Sequence, residues 1–242
     1  MFKKSFLFKF LSIAKYSIVN YKKIFPLIKK DQYLYFLIKV IKSQFYITFN
    51  PVKFIEKQNM NKKFSFKYSD WFSNHMNVWN FFLVNINKFN YLEIGTFEGR
   101  SALFVSELNN CKKIVCVDPY MNYPEADFKM SDVFESVNEK FKKIKNIKLI
   151  KKKSDDFFLE NLETFNVIYI DGYHEYEYVK RDFINSMSCL EKNGILICDD
   201  FLWFAYNKLE KNPIAAILEC YNDYKDVLEI LFINHQIIFR KI

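Results

Sequence analysis

The sequence is poor in glycine: it contains four among 242 residues, whereas an average composition would supply about 17. The P-loop and the G-x-G-x-x-G dinucleotide fingerprint, both built on clustered glycines, are absent. Glycine is required where a side chain or a negative φ cannot be accommodated, as in tight turns and close backbone contacts. The four that are present, Gly95, Gly99, Gly172 and Gly194, all border apolar runs. We therefore interpret them as markers of special backbone positions.

Metal-type cysteine spacing and long apolar runs are also missing. The five cysteines show no C-x-x-C or Cys/His pattern, which argues against a zinc site and favours reduced core thiols in a cytosolic protein. Lys9 and Lys15 interrupt the N-terminal apolar run well before the about 20 residues that a spanning helix needs. No small-residue cleavage site follows that run. We therefore expect a cytoplasmic protein with neither a membrane-spanning helix nor a cleavable signal.

Positive charge is concentrated in the N-terminal quarter. Residues 1–60 hold twelve lysines against Asp31 and Glu56, a surplus of +10, so that the remaining 182 residues carry −2 of the total of +8. This basic, aromatic-rich segment is typical of a helix on an anionic membrane surface, which predicts peripheral contact with the inner membrane through residues 1–30. The alternative is a helical arm that packs on the domain or on a second subunit of a homo-oligomer. We expect no nucleic acid partner, because the rest of the chain is slightly acidic.

Strands and helices alternate from about residue 70, which predicts an α/β fold. The predicted strands are 91–94, 114–117, 147–150, 167–170, 195–198, 227–233 and 236–240. The pattern predicts a Rossmann-like, doubly wound sheet of seven mostly parallel strands with a C-terminal antiparallel hairpin. A helical extension, 1–60, precedes the domain, 61–242, and the polar stretch 59–63 is the predicted linker.

An E-x-G-x-x-x-G stretch follows the first predicted strand. Glu93 and Glu98 flank the turn that Gly95 and Gly99 define, and two carboxylates would repel a diphosphate and favour a positively charged ligand. Nineteen residues after Gly99, the second strand ends in Asp118, where a carboxylate can accept hydrogen bonds from ribose hydroxyls. The pattern indicates a site for a cationic, nucleoside-type ligand, although Asp118 alone could be a loop-start residue.

A second group of acidic residues follows the fourth and fifth predicted strands. Asp171 ends one strand, and Asp199 and Asp200 end the next. Because adjacent strands lie about 5 Å apart, the three carboxylates are expected to converge. Such a cluster raises the pKa of its members unless a cation neutralises it, and oxygen ligands suit Mg²⁺ or another hard divalent cation. His174 lies three residues beyond Asp171 and is a candidate base.

Structural roles remain open for the same residues. Asp200 could cap a helix, and Asp171 could be a turn residue. His174 could hydrogen-bond a carboxylate and so hold its loop.

Together these motifs resemble the class I S-adenosylmethionine (SAM) methyltransferases. The resemblance rests on residues 93–99, on Asp118, on I-D-G-Y-H at 170–174 and on N-G-I-L-I-C-D-D at 193–200. It extends over roughly 65–240 and is closest to the branch called methyltransferase family 24. The D-G-Y-H sequence differs from the Asn/Asp-Pro-Pro-Tyr/Phe motif of enzymes that methylate bases.

The resemblance implies roles for individual residues in binding SAM. Glu93, Gly95 and Gly99 would hold the amino acid part, and Asp118 the ribose. The adenine would lie beside Ser154 and Asp155, although Lys153 stands where the family commonly has glycine.

The resemblance to metal-dependent O-methyltransferases implies that a divalent cation bound by Asp171, Asp199 and Asp200 would align an acceptor hydroxyl. His174 and Asp171 would then be catalytic, and the acceptor would be a small molecule or a glycan. Loops 119–130 and 201–212 would form the acceptor pocket. The alternatives are a non-catalytic SAM-binding module docked by its basic arm, and an NAD-dependent oxidoreductase, which the carboxylates at the glycine turn disfavour.

Overall fold

A computed structural model describes residues 2–122 and 127–242, the side chains of residues 2–8, 10, 54 and 55 excepted. The helices are α1 (Phe2–Ile24), α2 (Tyr33–Phe49), α3 (Phe54–Phe64), α4 (Met76–Leu83), α5 (Arg100–Ser106), α6 (Met130–Phe141), α7 (Ser154–Glu160), α8 (Tyr176–Cys189) and α9 (Pro213–Tyr224). The strands are β1 (Phe89–Ile94), β2 (Cys111–Val117), β3 (Ile147–Ile150), β4 (Phe165–Ile170), β5 (Leu190–Cys198), β6 (Leu228–Ile233) and β7 (Ile237–Lys241).

The strands form one sheet in the order β3-β2-β1-β4-β5-β7-β6. The first five are parallel, and β7 runs antiparallel to both of its neighbours. This topology confirms the predicted fold class, including the C-terminal hairpin. The strand order reverses between β1 and β4, and crevices at such a switch point are where α/β sheets bind ligands.

Both faces of the sheet are covered by helices. Alternate strand residues point to opposite faces, so Leu92 and Ile168 join one buried cluster whereas Tyr91 and Tyr169 join the other. The first cluster includes residues of α1, α2, α7, α8 and α9, and the second includes residues of α3, α4, α5 and α6. The near-continuous apolar composition of the strands follows from this burial on two sides.

Two local predictions about the region before β1 are wrong. The stretch 59–63 is not a linker but part of α3, where Met60 is buried among otherwise polar residues. A single apolar anchor leaves no periodic signal, which explains the error. The 60/61 boundary therefore lies inside a helix, and the division into two domains stays a prediction. The helical spacing of Trp71, Val78 and Trp79 also predicts a helix from Trp71, but α4 begins at Met76, and Trp71 is 65% exposed.

The N-terminal helices α1 and α2 form an antiparallel hairpin that packs on the sheet. At one end the Tyr21 hydroxyl donates to the carbonyl of Tyr33 (3.0 Å), and at the other Lys9 lies 5.0 Å from the centre of the Phe49 ring. Helix α2 contacts β6, where the Ile233 N–H donates to the Ser43 hydroxyl (2.9 Å). The arm thus shares the core of the domain.

Two substitutions on α2 test this packing. Phe36 is fully buried against Tyr221, with ring centres 5.8 Å apart, whereas Leu34 is 68% exposed. We expect Phe36→Ala to lower the free energy of unfolding by about 3–5 kcal/mol in a single transition, because it leaves a cavity in the shared core. Leu34→Ala is the matched control, with an effect within about 0.5 kcal/mol. Denaturant unfolding measures both, and equal small effects would show that the arm is not part of the core.

Candidate active site

The turn after β1 is held in place by its two glycines. Gly95 has φ +83°, and a Cβ at this position would lie 1.9 Å from the carbonyl oxygen of Asp171. Gly99 has φ +75°, and a Cβ there would lie 2.7 Å from the Phe141 ring. The positive φ therefore favours glycine at both positions, and at Gly95 the backbone neighbour also leaves no space for a side chain. The turn lies directly against the backbone at the end of β4.

Asp118 fastens this turn to the end of β2. Its Oδ2 accepts the N–H groups of Thr96 (2.9 Å) and Phe97 (3.0 Å), and its Oδ1 accepts that of Tyr120 (2.7 Å). Burial raises the pKa of Asp118, and these three backbone hydrogen bonds oppose the rise. A carboxylate has about four acceptor positions, so one remains for a ligand hydroxyl. The ribose-binding role of Asp118 stays a prediction.

Glu93 is a fully buried acid beneath the turn. Its Oε2 accepts a hydrogen bond from the Tyr91 hydroxyl (2.5 Å), and its Oε1 receives none from the described residues. Burial raises the pKa of Glu93 to about 8, although the interactions of its carboxylate with the Tyr91 and Ser101 side chains oppose the rise. A buried acid with a free oxygen suits a cationic ligand group, which would favour its ionised form.

Glu98 does not act with Glu93 as predicted. Its carboxylate is buried and accepts the N–H groups of Lys67 (2.7 Å) and Tyr68 (3.1 Å). The Arg100 guanidinium lies 3.8 Å from it. Glu98 therefore stabilises the segment before α4. The prediction that Glu93 and Glu98 together face a ligand is wrong.

A hydroxyl links the acids at the ends of β4 and β5. The Tyr169 hydroxyl is 2.9 Å from Asp171 Oδ2 and also contacts Asp199 Oδ2. Gln236 donates to the same oxygen of Asp199 (3.0 Å) and accepts from the Trp79 indole (2.8 Å). One hydroxyl proton cannot satisfy two carboxylates. Although the Asp171 side chain is 36% exposed, desolvation and the Asp199 charge raise the pKa of Asp171 to about 7, so it can share a proton with Tyr169.

The structure brings Asp171, Asp200 and His174 together at one point. One ligand atom from each lies within 4.8 Å of the others. His174 Nε2 is 3.0 Å from Asp200 Oδ2 and 3.8 Å from Asp171 Oδ1. Asp199, the third acid predicted for this group, is directed to Tyr169 and Gln236 instead. The convergence of the two strand ends follows the prediction, with His174 in place of Asp199.

His174 is a cation in this arrangement. Burial alone would lower the pKa of its imidazole, but its interactions with the carboxylates of Asp171 and Asp200 raise it to about 10. Its ring lies edge-on against Trp203, with centres 4.9 Å apart. Asp200 has φ +53°, a left-handed conformation that is strained in a residue with a side chain. It does not cap a helix, since α9 begins at Pro213.

Ser154 and Asp155, predicted near an adenine, lie at the start of α7 and face α8. Asp155 Oδ2 is 3.1 Å from Arg181 Nη1. Ser154 hydrogen-bonds Asp182, a buried acid whose pKa desolvation raises to about 6. Their role in ligand binding stays a prediction. Of the predicted acceptor loop 119–130, residues 123–126 lie outside the described part of the chain.

Several residues of the site were not predicted. Tyr91 and Tyr169 each stand two residues before the acid that they contact, so strand alternation places each pair on one face. This spacing could have revealed them. Gln236 could not have been found, because it reaches Asp199 only through the pairing of β7 with β5. The sequence offers no partner for His75, yet the Asp199 charge acts on it and opposes the lowering of its pKa by burial.

The buried acid Glu93 predicts a pH-dependent stability. A carboxyl with a folded pKa of about 8 and an ordinary value of 4.5 binds its proton more tightly when folded, so stability falls as pH rises between these values. We expect Glu93→Gln to stabilise the ligand-free protein by about 1–3 kcal/mol above that range, because the amide carries no charge. The gain should vanish as pH falls below 4.5, where Glu93 becomes protonated in the unfolded state as well as in the folded one.

Thermal unfolding of the wild type and the variant across this pH range measures the effect. Glu135→Gln, on the exposed side of α6, is the matched control and should be neutral. A gain that does not depend on pH would contradict the raised pKa of Glu93.

Most residues of this site lie within a stretch that matches a known family model. Residues 92–201 match the family model described as "Methyltransferase domain", methyltransferase family 24. The uncharacterized protein R132 of Acanthamoeba polyphaga mimivirus is 28% identical over 146 residues, which cover 56% of this chain and 64% of that relative. This chain thus spans less than two thirds of the length of that curated relative.

Solved methyltransferase structures share the fold. The O-methyltransferase from Bacillus cereus, in complex with S-adenosylhomocysteine (SAH), has a TM-score of 0.55 at 14% identity, over 83% of this chain and 97% of that one. The SAH-bound methyltransferase PaMTH1 from Podospora anserina has a TM-score of 0.54 at 16% identity, over 79% and 89%. Residues 92–201 thus match the model of methyltransferase family 24, and the chain shares the fold of SAH-bound methyltransferases, which confirms the resemblance to the class I SAM-dependent methyltransferases inferred from its motifs.

Proposed function

We propose that this protein transfers a methyl group from SAM to a hydroxyl of a small molecule or a glycan. The observation that carries the proposal is the direct contact between the two halves of the site. The Gly95 turn, where SAM would bind, lies against the Asp171 backbone, and Asp171 and His174 form the acceptor side. Methyl transfer by direct displacement requires this proximity and alignment of the two reactants.

The residues around the glycine turn fit SAM. The free oxygen of Glu93 is a buried acceptor for an ammonium group, and ionisation of Glu93 would follow from that pairing. Asp118 retains one acceptor position for a ribose hydroxyl. When bound, SAM supplies an electrophilic methyl group. Glycine at 95 and 99 keeps the turn narrow, and Ser154 and Asp155 would border the adenine.

On the acceptor side, His174 is the proposed base. The imidazole must first lose its own proton before it can accept the proton of an acceptor hydroxyl. The carboxylates of Asp171 and Asp200 oppose that loss, because they raise the pKa of His174 to about 10. An acceptor that contacts the two acids would weaken that hold. Trp203, 39% exposed beside the His174 ring, offers an aromatic surface on which a sugar or aromatic acceptor could pack.

The same residues fit a divalent cation. Asp171, Asp200 and His174 offer two carboxylate oxygens and one imidazole nitrogen within 4.8 Å of one another, a donor set that hard or borderline cations accept. These three residues would hold the ion, whereas Asp199 contacts Tyr169 and Gln236. A cation bound there would lower the pKa of an acceptor hydroxyl. His174 would have to release its proton before ligating, so cation affinity should increase as pH rises toward about 10.

Substitution of His174 tests the proposed chemistry. We expect His174→Gln to lower methyl transfer at least about 100-fold, the usual contribution of a general base. SAH affinity should persist, because the substituted side chain lies outside the glycine turn. In the wild type, kcat/KM should rise as pH approaches about 10, since only the neutral imidazole accepts a proton.

The measurement is transfer of a radioactive methyl group from SAM to a panel of phenols, catechols and glycans, with and without Mg²⁺. His235→Gln is the matched control: His235 is exposed and should be dispensable. Equal turnover in wild type and His174→Gln would remove His174 from the mechanism. SAH binding without turnover on any acceptor would favour a non-catalytic SAM-binding module.

A further inference from the structure

The outer side of α1 alternates apolar and basic residues. Leu11, Lys15, Ile18 and Lys22 follow one another at intervals of four, three and four residues, which places them on one stripe of the helix. Leu11 is 58% exposed and Ile18 54% exposed, and both lysines are exposed. The inner stripe, with Ile13, Ser17 and Ile24, is buried.

The outer side of α2 carries a wholly apolar stripe at the same spacing. Leu34, Ile38, Ile41 and Phe45 are 68%, 41%, 43% and 52% exposed. The opposite side of the helix, which includes Phe36, Val40 and Ser43, is buried toward the sheet. In an ordinary surface helix the side opposite the core is polar. The stripe on α2 therefore has the character of a binding surface.

Lysines surround both stripes. Lys9, Lys23, Lys29, Lys30 and Lys42 are exposed on the hairpin or its connection, and Asp31 is the one acidic residue in the stretch 1–50. None of these five lysines forms an ion pair among the described residues that would neutralise its charge. The hairpin thus combines exposed aliphatic and aromatic side chains with a high positive charge.

We propose that the α1–α2 hairpin docks on an anionic lipid bilayer. The apolar stripes would enter the boundary between headgroups and acyl chains, and the lysines would contact anionic headgroups. A second copy of the chain is a poor occupant, because two hairpins that each carry a surplus of +9 (ten lysines against Asp31) would repel each other. A nucleic acid would leave the aliphatic stripe on α2 without a partner.

The docked hairpin would lie next to the acceptor side of the proposed site. Lys23 Nζ of α1 lies 5.1 Å from the centre of the Phe204 ring, in the loop after β5 that also carries Trp203. Ile24 belongs to the same buried cluster as Phe201 and Leu202. Among the described residues, no helix combines the length and the apolar character needed to cross a bilayer.

Flotation of the full chain with vesicles tests the proposal. We expect the protein to float with vesicles of phosphatidylcholine and phosphatidylglycerol, to remain in solution with phosphatidylcholine alone, and to bind less at high salt. Charge reversal at the outer stripe, Lys15→Glu with Lys22→Glu, should weaken partitioning at least about 30-fold. Ile38→Ser with Ile41→Ser should also weaken it, and unchanged thermal unfolding would show that these exposed positions leave the fold intact.

The matched control is Lys145→Glu with Lys148→Glu, two exposed lysines at the β3 edge of the sheet. This variant has the same net charge as the α1 variant and should float like the wild type. Failure of the wild type to float with anionic vesicles would overturn the proposal, and so would equal losses in both lysine variants. A wild-type dimer that Ile38→Ser with Ile41→Ser converts to a monomer, with flotation unchanged, would assign the surface to a second copy instead.

Discussion

The contact between the Gly95 turn and the backbone of Asp171 fixes the geometry of the whole site. Strand β1 lies between β2 and β4, and the turn is held from both sides: the Gly95 N–H donates to Val117 (2.9 Å) and the Asp171 N–H to Ile94 (2.8 Å). A Cβ on residue 95 would lie 1.9 Å from a backbone oxygen that cannot move away. The donor side and the acceptor side of the proposed reaction are therefore parts of one rigid junction.

This junction concentrates acids, and the fold stabilises each by a different means. Asp118 receives three backbone N–H groups, Glu93 stays protonated over a wide pH range, and Asp171 and Asp199 share the Tyr169 hydroxyl. Unpaired buried charge is costly, and each of these arrangements reduces the charge that is left unpaired. Ligands would neutralise these acids in place of protons. An ammonium group would pair with Glu93, and a divalent cation or an acceptor would contact Asp171 and Asp200. Ligand binding and proton release are coupled for this reason.

The features of the fold and the site that depend on local sequence patterns could be predicted from the sequence. Strand alternation, the glycine turn and the acids at strand ends are periodic or positional signals, and Asp118, Asp171 and His174 lie where those signals indicated. Partners that come from distant segments were missed: Glu98 turns to Lys67 and Tyr68, and Gln236 reaches Asp199 through the C-terminal hairpin. The exposure of the α2 stripe also depends on tertiary packing, because an apolar helix face is ordinarily buried.

Calorimetric titration of the full chain with SAH, in Mg²⁺ and again in EDTA, tests the central claim most directly. We expect micromolar binding in both conditions, since on our proposal Glu93, the glycine turn and Asp118 would form the SAH site without a cation. We also expect no binding of NAD⁺, because NAD⁺ has no ammonium group to pair with Glu93 and the turn lacks the clustered glycines of a dinucleotide fingerprint. Binding of NAD⁺ in place of SAH, or of neither, would mean that this fold carries a different ligand at the same edge of the sheet.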